Sequence, residues 1–180
     1  MRRLLLALVS AWTLVPSLAT ATVLLPIEFR ELVSVADVIV HGRVATVATE
    51  WTEGRRSIET LVTINARDYL KGDAGSTITI HVPGGQLGRY RTVLVGAPEF
   101  TVNDEVVLFL RAGRIVGLSQ GAFRVVTDPA SGRPALASPI VTSSSLGQPE
   151  SVVRGDVRRK PVPLDSLRGL VQQLLAGGPR

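Results

Sequence analysis

No cysteine occurs in the 180 residues. That absence excludes disulfides, thiolate nucleophiles and cysteine-bearing zinc or iron–sulfur sites together, so the fold must rest on a packed core. A domain of about 150 residues buries roughly two thirds of its unfolded surface, which makes such a core sufficient. Histidine is nearly as scarce, with His41 and His81 the only two. A Ser–His–acid triad needs a histidine within reach of an activated serine, and neither Ser57 nor Ser119 lies in a Gly-x-Ser-x-Gly elbow or a comparable turn. Two histidines without cysteine, a His-Glu-x-x-His pair or an Asp-rich calcium loop fall short of a metal site's ligand count. No cofactor or metal is expected. Aromatic residues make up only 4 %, without the basic–aromatic interleaving that stacks single-stranded bases, so nucleic acid is not an expected partner.

What is present is aliphatic and strand-forming. The chain is 45 % hydrophobic and 19 % charged, a globular balance, and its Val-, Thr- and Gly-rich text favours β structure. The net charge of +5 is modest, and the cluster Arg154, Arg158, Arg159 and Lys160 reads as a solvated basic turn. At the start, Arg2 and Arg3 precede an apolar stretch from Leu4 to Val15, Pro16, and then Ala19-Thr20-Ala21. This order is that of a secretory signal peptide over residues 1–21, with the exported chain beginning at Thr22 in a periplasmic or extracellular setting. The apolar run is too short for the ~20 residues of a spanning helix, and no second run replaces it.

Beyond the signal, Phe29, Leu32, Val33 and Ala36 recur at helical spacing and predict a short leading helix. A long first strand follows from Asp37 to Trp51, in which Val38, Val40, Arg43 and Ala45 alternate against Ile39, His41, Val44 and Val47, with a slip and bulge expected at Gly42. Ile58 to Gly72 reads as a second strand and Ser76 to Val82 as a third of clear period two, and Thr92 to Phe100 as a short strand and corner. Val106 to Arg111 is a buried strand, Ala112-Gly113 a tight hairpin, and strands follow after Gly121 and near Pro134 to Ser138. Regular short strands with glycine corners predict a small β-barrel of five or six strands over residues 22–140. The Ser- and Pro-rich stretch 141–162 reads as a flexible linker. Residues 163–177 form an amphipathic helix with Asp165 as N-cap, an apolar stripe through Leu167, Leu170, Val171 and Leu174, and Gly177 as stop, expected to dock on the barrel.

The stretch His81-Val-Pro-Gly-Gly-Gln-Leu-Gly-Arg-Tyr90 is the most site-like phrase. Phosphate loops join a strand to a helix and carry a Gly-Lys-Ser/Thr, whereas these glycines are followed by non-helical text. The local account is geometric: Pro83 ends a ladder, and Gly84-Gly85 take positive φ for a reversal or wide bulge. Gly84, Gly85, Gln86, Arg89, Tyr90 and Arg91 then stand on an exposed flap, residues 83–96, the expected partner-binding surface together with loops 51–57 and 111–114. Asp104 and Glu105, adjacent in sequence, read as turn-capping residues rather than a catalytic pair.

The run Ala36-Asp-Val-Ile-Val-His-Gly-Arg-Val44, then Leu70-Lys-Gly72, Pro83-Gly-Gly85, Val107-Leu-Phe-Leu110 and Gly121-Ala-Phe-Arg-Val125 resembles a pattern in small secreted bacterial proteins of unassigned function, over roughly residues 29–127. More distantly it is similar to the netrin-like and tissue-inhibitor-of-metalloproteinases barrels, of the oligonucleotide/oligosaccharide-binding (OB) type. That resemblance implies a barrel binding through its loops. The inhibitors' zinc-chelating N-terminal cysteine has no counterpart at Thr22. The leading expectation is an exported, non-enzymatic interaction module whose partner is another exported protein or envelope component. One alternative is a peptidase inhibitor or accessory factor of an exported protease. Another is an exported hydrolase or metal-dependent enzyme that joins His41 and His81 with Asp37 or Glu59.

Overall fold

The computed structural model describes residues 27–129, 131–137 and 162–177. The expected signal peptide, its cleavage point and residues 141–161 of the expected linker lie outside the described residues. Helix α1 (Phe29–Val35) leads into β1 (Val38–Trp51), β2 (Ile58–Lys71) and β3 (Thr77–Pro83), then a small hairpin of β4 (Gly85–Leu87) and β5 (Tyr90–Thr92). After an irregular stretch come β6 (Glu105–Arg111), β7 (Arg114–Ile115), β8 (Ala122–Thr127), β9 (Pro134–Ala137), β10 (Val162–Pro163) and helix α2 (Leu164–Ala176). The protein is therefore mainly β with a short helix near each end of the described fold.

All ladders are antiparallel, and the main sheet runs β10-β9-β8-β6-β1-β2-β3, with β7 added on β6. This path has two ends, so no ladder closes the sheet into a barrel among the described residues. The strand count also exceeds the five or six expected, because the short segments β4, β5, β7 and β10 carry too few residues to show a period in sequence. The sheet nevertheless curls enough to bring β3 near β7.

That curl separates two cores. On the inner face Val40, Val44, Val62, Ile64, Ile80 and Leu108 pack together, and Ala97, Phe100 and Ile115 lean on them. On the outer face Ile39, Val107, Phe109 and Phe123 meet Leu32 and Val33 of α1 and Leu167 and Val171 of α2. Three of the four phenylalanines work here: Phe29 lies edge-on to Phe109 at 5.6 Å and Phe109 edge-on to Phe123 at 5.6 Å. β6 supplies both faces, which explains its unbroken apolar text from Val106 to Leu110.

The β1–β2 ladder shifts register between His41 and Gly42, where the bulge was expected, but the slip of β1's own parity is not there. Val40, Gly42 and Val44 stay on one parity, because the unpaired residues are Leu70 and Arg67 on β2 and Ala45 on β1. Gly42 serves close approach instead: a Cβ there would lie 2.6 Å from the Asn65 carbonyl oxygen and 2.8 Å from Ile64. The true parity change falls at Ala45 and turns Val47, Thr49 and Trp51 toward the β4–β5 hairpin. Helix α2 docks on the sheet as expected, but its N-cap is Pro163, with Asp165 inside the first turn. Gly177 ends it at φ −76° rather than in the left-handed region.

Candidate functional site

The flap is the β4–β5 hairpin. Its base is fixed by backbone geometry: Gly84 has φ +98° and Gly85 φ +144°, values that a side chain disfavours. At Gly85 a Cβ would come within 2.7 Å of Thr60 Oγ1 and 2.9 Å of Thr49 Cγ2, so only glycine lets the hairpin lie against the β1–β2 end. Polar contacts then hold it. The Gly84 N–H donates to the Ile58 carbonyl at 3.0 Å, Thr60 Oγ1 to the Gly84 carbonyl at 2.7 Å, and Thr49 Oγ1 to the Gln86 carbonyl at 2.9 Å. The Ile58 N–H donates to Thr92 Oγ1 at 3.3 Å.

Of the six expected site residues, Gly84 is buried, Gly85 half-buried, and Gln86, Arg89, Tyr90 and Arg91 are exposed. The glycines are thus the mounting of the flap, and the other four are its face. Trp51 meets Tyr90 edge to face at 5.4 Å, and the Arg89 guanidinium lies 5.1 Å from the Tyr90 ring centre while donating to its hydroxyl at 2.9 Å. The turn 52–57 adjoins this cluster through Trp51. The turn 111–114 does not: Leu110 pairs with Val38, at the opposite end of β1.

Beside the flap runs a groove of about 470 Å³, whose lining includes Gln86, Arg91, Val93 and Leu94 together with Phe100 and Arg124. Val93, Leu94 and Val95 are 56 %, 41 % and 63 % exposed. They lie within the expected flap 83–96 but were not named among its site residues, and the short strand expected over Thr92–Phe100 does not form, since β5 ends at Thr92.

The histidines do not meet. β2 lies between β1 and β3, and His41 is in register with Asp68 while His81 is in register with Leu61. Seven residues along a strand is roughly 20 Å, beyond any shared proton or ion. Each has its own glutamate: His41 Nε2 lies 2.8 Å from Glu105 Oε1, and His81 Nδ1 lies 3.3 Å from Glu59 Oε2. Asp37 is elsewhere again, accepting the Ala112 N–H at 2.9 Å. No group of three metal-ligating side chains forms among the described residues.

Glu105 was not expected to be a hub, yet Arg67 at 3.0 Å and Arg43 at 3.4 Å join His41 around it. Burial pushes its carboxyl pKa up, but the His41 hydrogen bond and the charges of Arg67, His41 and Arg43 outweigh that and hold it below the usual glutamate value. Asp104 caps the turn before β6 as expected, accepting the Thr101 N–H at 2.9 Å, and also pairs with Arg124 at 3.2 Å.

No protein-family model, curated protein or solved structure matches the chain. No helix among the described residues is long and apolar enough to cross a membrane.

Proposed function

We propose that the protein is an exported, non-enzymatic binding module that engages another exported protein or an envelope component through the β4–β5 flap. The observation that carries this reading is rigid presentation of an exposed face. Arg89, Tyr90 and Arg91 stand in solvent while the hairpin beneath them is pinned by Thr49, Thr60 and Gly84. Ordering a loop in advance removes an entropic cost that binding would otherwise carry. Aromatic and arginine side chains are also the types that concentrate binding energy at interfaces.

We further propose that the curled sheet is a variant of the OB-type barrel, as the resemblance to netrin-like proteins implies. The inner core enclosed by β1, β2, β3 and β6 supports that reading, with the flap in the position of a barrel loop.

The test is capture from culture supernatant and envelope extract of the producing cells, with the exported chain as bait. A variant carrying Arg89→Ala, Tyr90→Ala and Arg91→Ala is expected to lose the captured partner, whereas Arg30→Ala, on the exposed side of α1, retains it. Identical partner sets for wild type and the triple variant would refute the flap as the binding surface.

A further inference from the structure

The hairpin that forms the flap closes through a two-residue loop, Gly88-Arg89, with Gly88 at φ +60° and Leu87 paired with Tyr90. In an antiparallel ladder, hydrogen-bonded and non-hydrogen-bonded pairs alternate. The Leu87–Tyr90 pair that closes such a loop is of the first kind, so the next pair, Gln86 with Arg91, turns its N–H and C=O groups outward. On the β4 side that edge is occupied, since the Gln86 carbonyl accepts the Thr49 hydroxyl. On the β5 side it is open. Neither the backbone N–H nor the C=O of Arg91 has a partner among the described residues, and the same holds for Val93.

An unpaired strand edge is a template for another strand, and proteins ordinarily guard such edges with charge, proline or a bulge. Here the edge continues into three exposed aliphatics, Val93 to Val95. The pleat sorts the side chains. Tyr90 meets Trp51 and Thr92 the Ile58 N–H, so Arg91 and Val93 stand on the other face of the pleat, and Arg91, Val93 and Leu94 line the groove together with Thr92. Arg124, which also lines the groove, is already engaged by Asp104 and by the Glu99 carbonyl. Arg91 has no carboxylate partner among the described residues. The groove, which Glu99 also lines, therefore offers at the strand edge the Arg91 cation, without an ion pair among the described residues, and, two residues along the same edge, an aliphatic surface.

We infer that the outer edge of β5 and of the residue that follows it, from Arg91 to Val93, takes an extended peptide strand of the partner by β-strand addition, the partner strand carrying a carboxylate and an aliphatic side chain two residues apart. Main-chain bonds to Arg91 and Val93 supply affinity, and the alternate side chains supply choice. The carboxylate lies against Arg91 and the aliphatic residue against Val93 and Leu94. A second copy of this chain fits poorly, because its own flap has no acidic residue between Gly84 and Pro98 and would set Arg89 and Arg91 of both copies together. This inference rests on the flap being the binding surface.

The experiment selects phage-displayed random dodecapeptides on the immobilised exported chain, then measures hydrogen exchange of the Arg91 and Val93 amides with the synthetic winners. The expected winners share an acid and an aliphatic residue spaced by two, and slow exchange at both amides by at least tenfold. Val93→Pro, which removes one N–H, is expected to weaken them at least tenfold, and Arg91→Glu to shift selection toward lysine or arginine at the acidic position. Thermal unfolding verifies that each variant is folded, and the exchange measurement on the wild type stands independently of both. Winners that are lost with Tyr90→Ala but leave both amides unprotected would overturn strand addition and leave the flap reading intact. Winners indifferent to every flap substitution, or no winners at all, would overturn the inference, and capture with the triple alanine variant decides whether the flap reading falls with it. A concentration-dependent dimer abolished by Val93→Pro would overturn it in favour of a second copy.

Discussion

Trp51, the last residue of β1, meets Tyr90, the first residue of β5, edge to face with ring centres 5.4 Å apart. The contact ties the flap to the end of the longest ladder in the sheet, β1 with β2. Edge-to-face aromatic pairs contribute about 0.5–1.5 kcal/mol beyond the area they bury. In a chain starting at Thr22, Trp51 is the only tryptophan, so its emission reports on the flap alone. Tyr90→Ala is expected to red-shift that emission and to lower stability by about 1 kcal/mol, while Tyr90→Phe, which keeps the ring, leaves the spectrum near wild type. An unchanged spectrum for Tyr90→Ala would show that the flap is not seated on Trp51.

Two glycines of the flap separate conformational from packing cost. Gly88 has φ +60° with open space where a Cβ would go, so Gly88→Ala is expected to cost about 1 kcal/mol, the strain of the left-handed region alone. Gly85 combines φ +144° with contacts of 2.7 and 2.9 Å to Thr60 and Thr49. Gly85→Ala is expected to cost about 3 kcal/mol and to break the Thr49 and Thr60 hydrogen bonds by lifting the hairpin. Urea unfolding gives both numbers, and equal costs would contradict the close seating of Gly85.

Glu105 links pH to stability. Its carboxyl pKa in the fold is held below the ordinary value, so the folded state favours the ionised form. The stabilisation is therefore fully present above the ordinary glutamate pKa and is lost as pH falls through the lower folded value. Glu105→Gln is expected to cost about 1 kcal/mol at pH 7, a modest figure because Arg43 and Arg67 are largely solvated. The gap between variant and wild type should narrow as the pH falls below the ordinary glutamate range and through the lower folded value. A gap that stays constant throughout an acid titration of the folded protein would assign the loss to shape rather than charge.

The strands with an inner apolar parity were legible in sequence because their period is two and their glycines punctuate them. Thr77 to Pro83, alternating exposed and buried without a break, is the clearest case. The two helices were legible through Leu32 and Val33 and through Leu167 and Val171. The parity of β1 was not: it changes at the unpaired Ala45, a small apolar residue that nothing in the local text marks, while the glycine that drew attention, Gly42, lies opposite a bulge at Arg67 of the partner strand that leaves β1's own parity unchanged. The mounting of the flap was visible as Gly84-Gly85, but the residues against which it seats, Thr49 and Thr60, are distant in sequence and chemically ordinary. The hub at Glu105 was hidden for a similar reason. Arg43 stands opposite Glu105 in the β1–β6 register, but Arg67 reaches it across β1 from a bulge.

Helix α2 tests whether the chain folds as one unit. It meets the sheet in two ways, by Leu167 and Val171 buried with Leu32, Ile39 and Phe109, and by an ion pair from Arg168 to Asp68 of β2. The ion pair is about half solvated on both sides, so Arg168→Ala is expected to cost no more than about 0.5 kcal/mol. Leu167 is fully buried, and Leu167→Ala leaves a cavity between α2 and α1, expected to cost about 3 kcal/mol. Because that cavity adjoins Phe109 of the central strand β6, the loss should appear in a single transition with an unchanged denaturant slope. Two transitions, the first confined to α2, would show that the helix is an appendage and that the sheet stands without it.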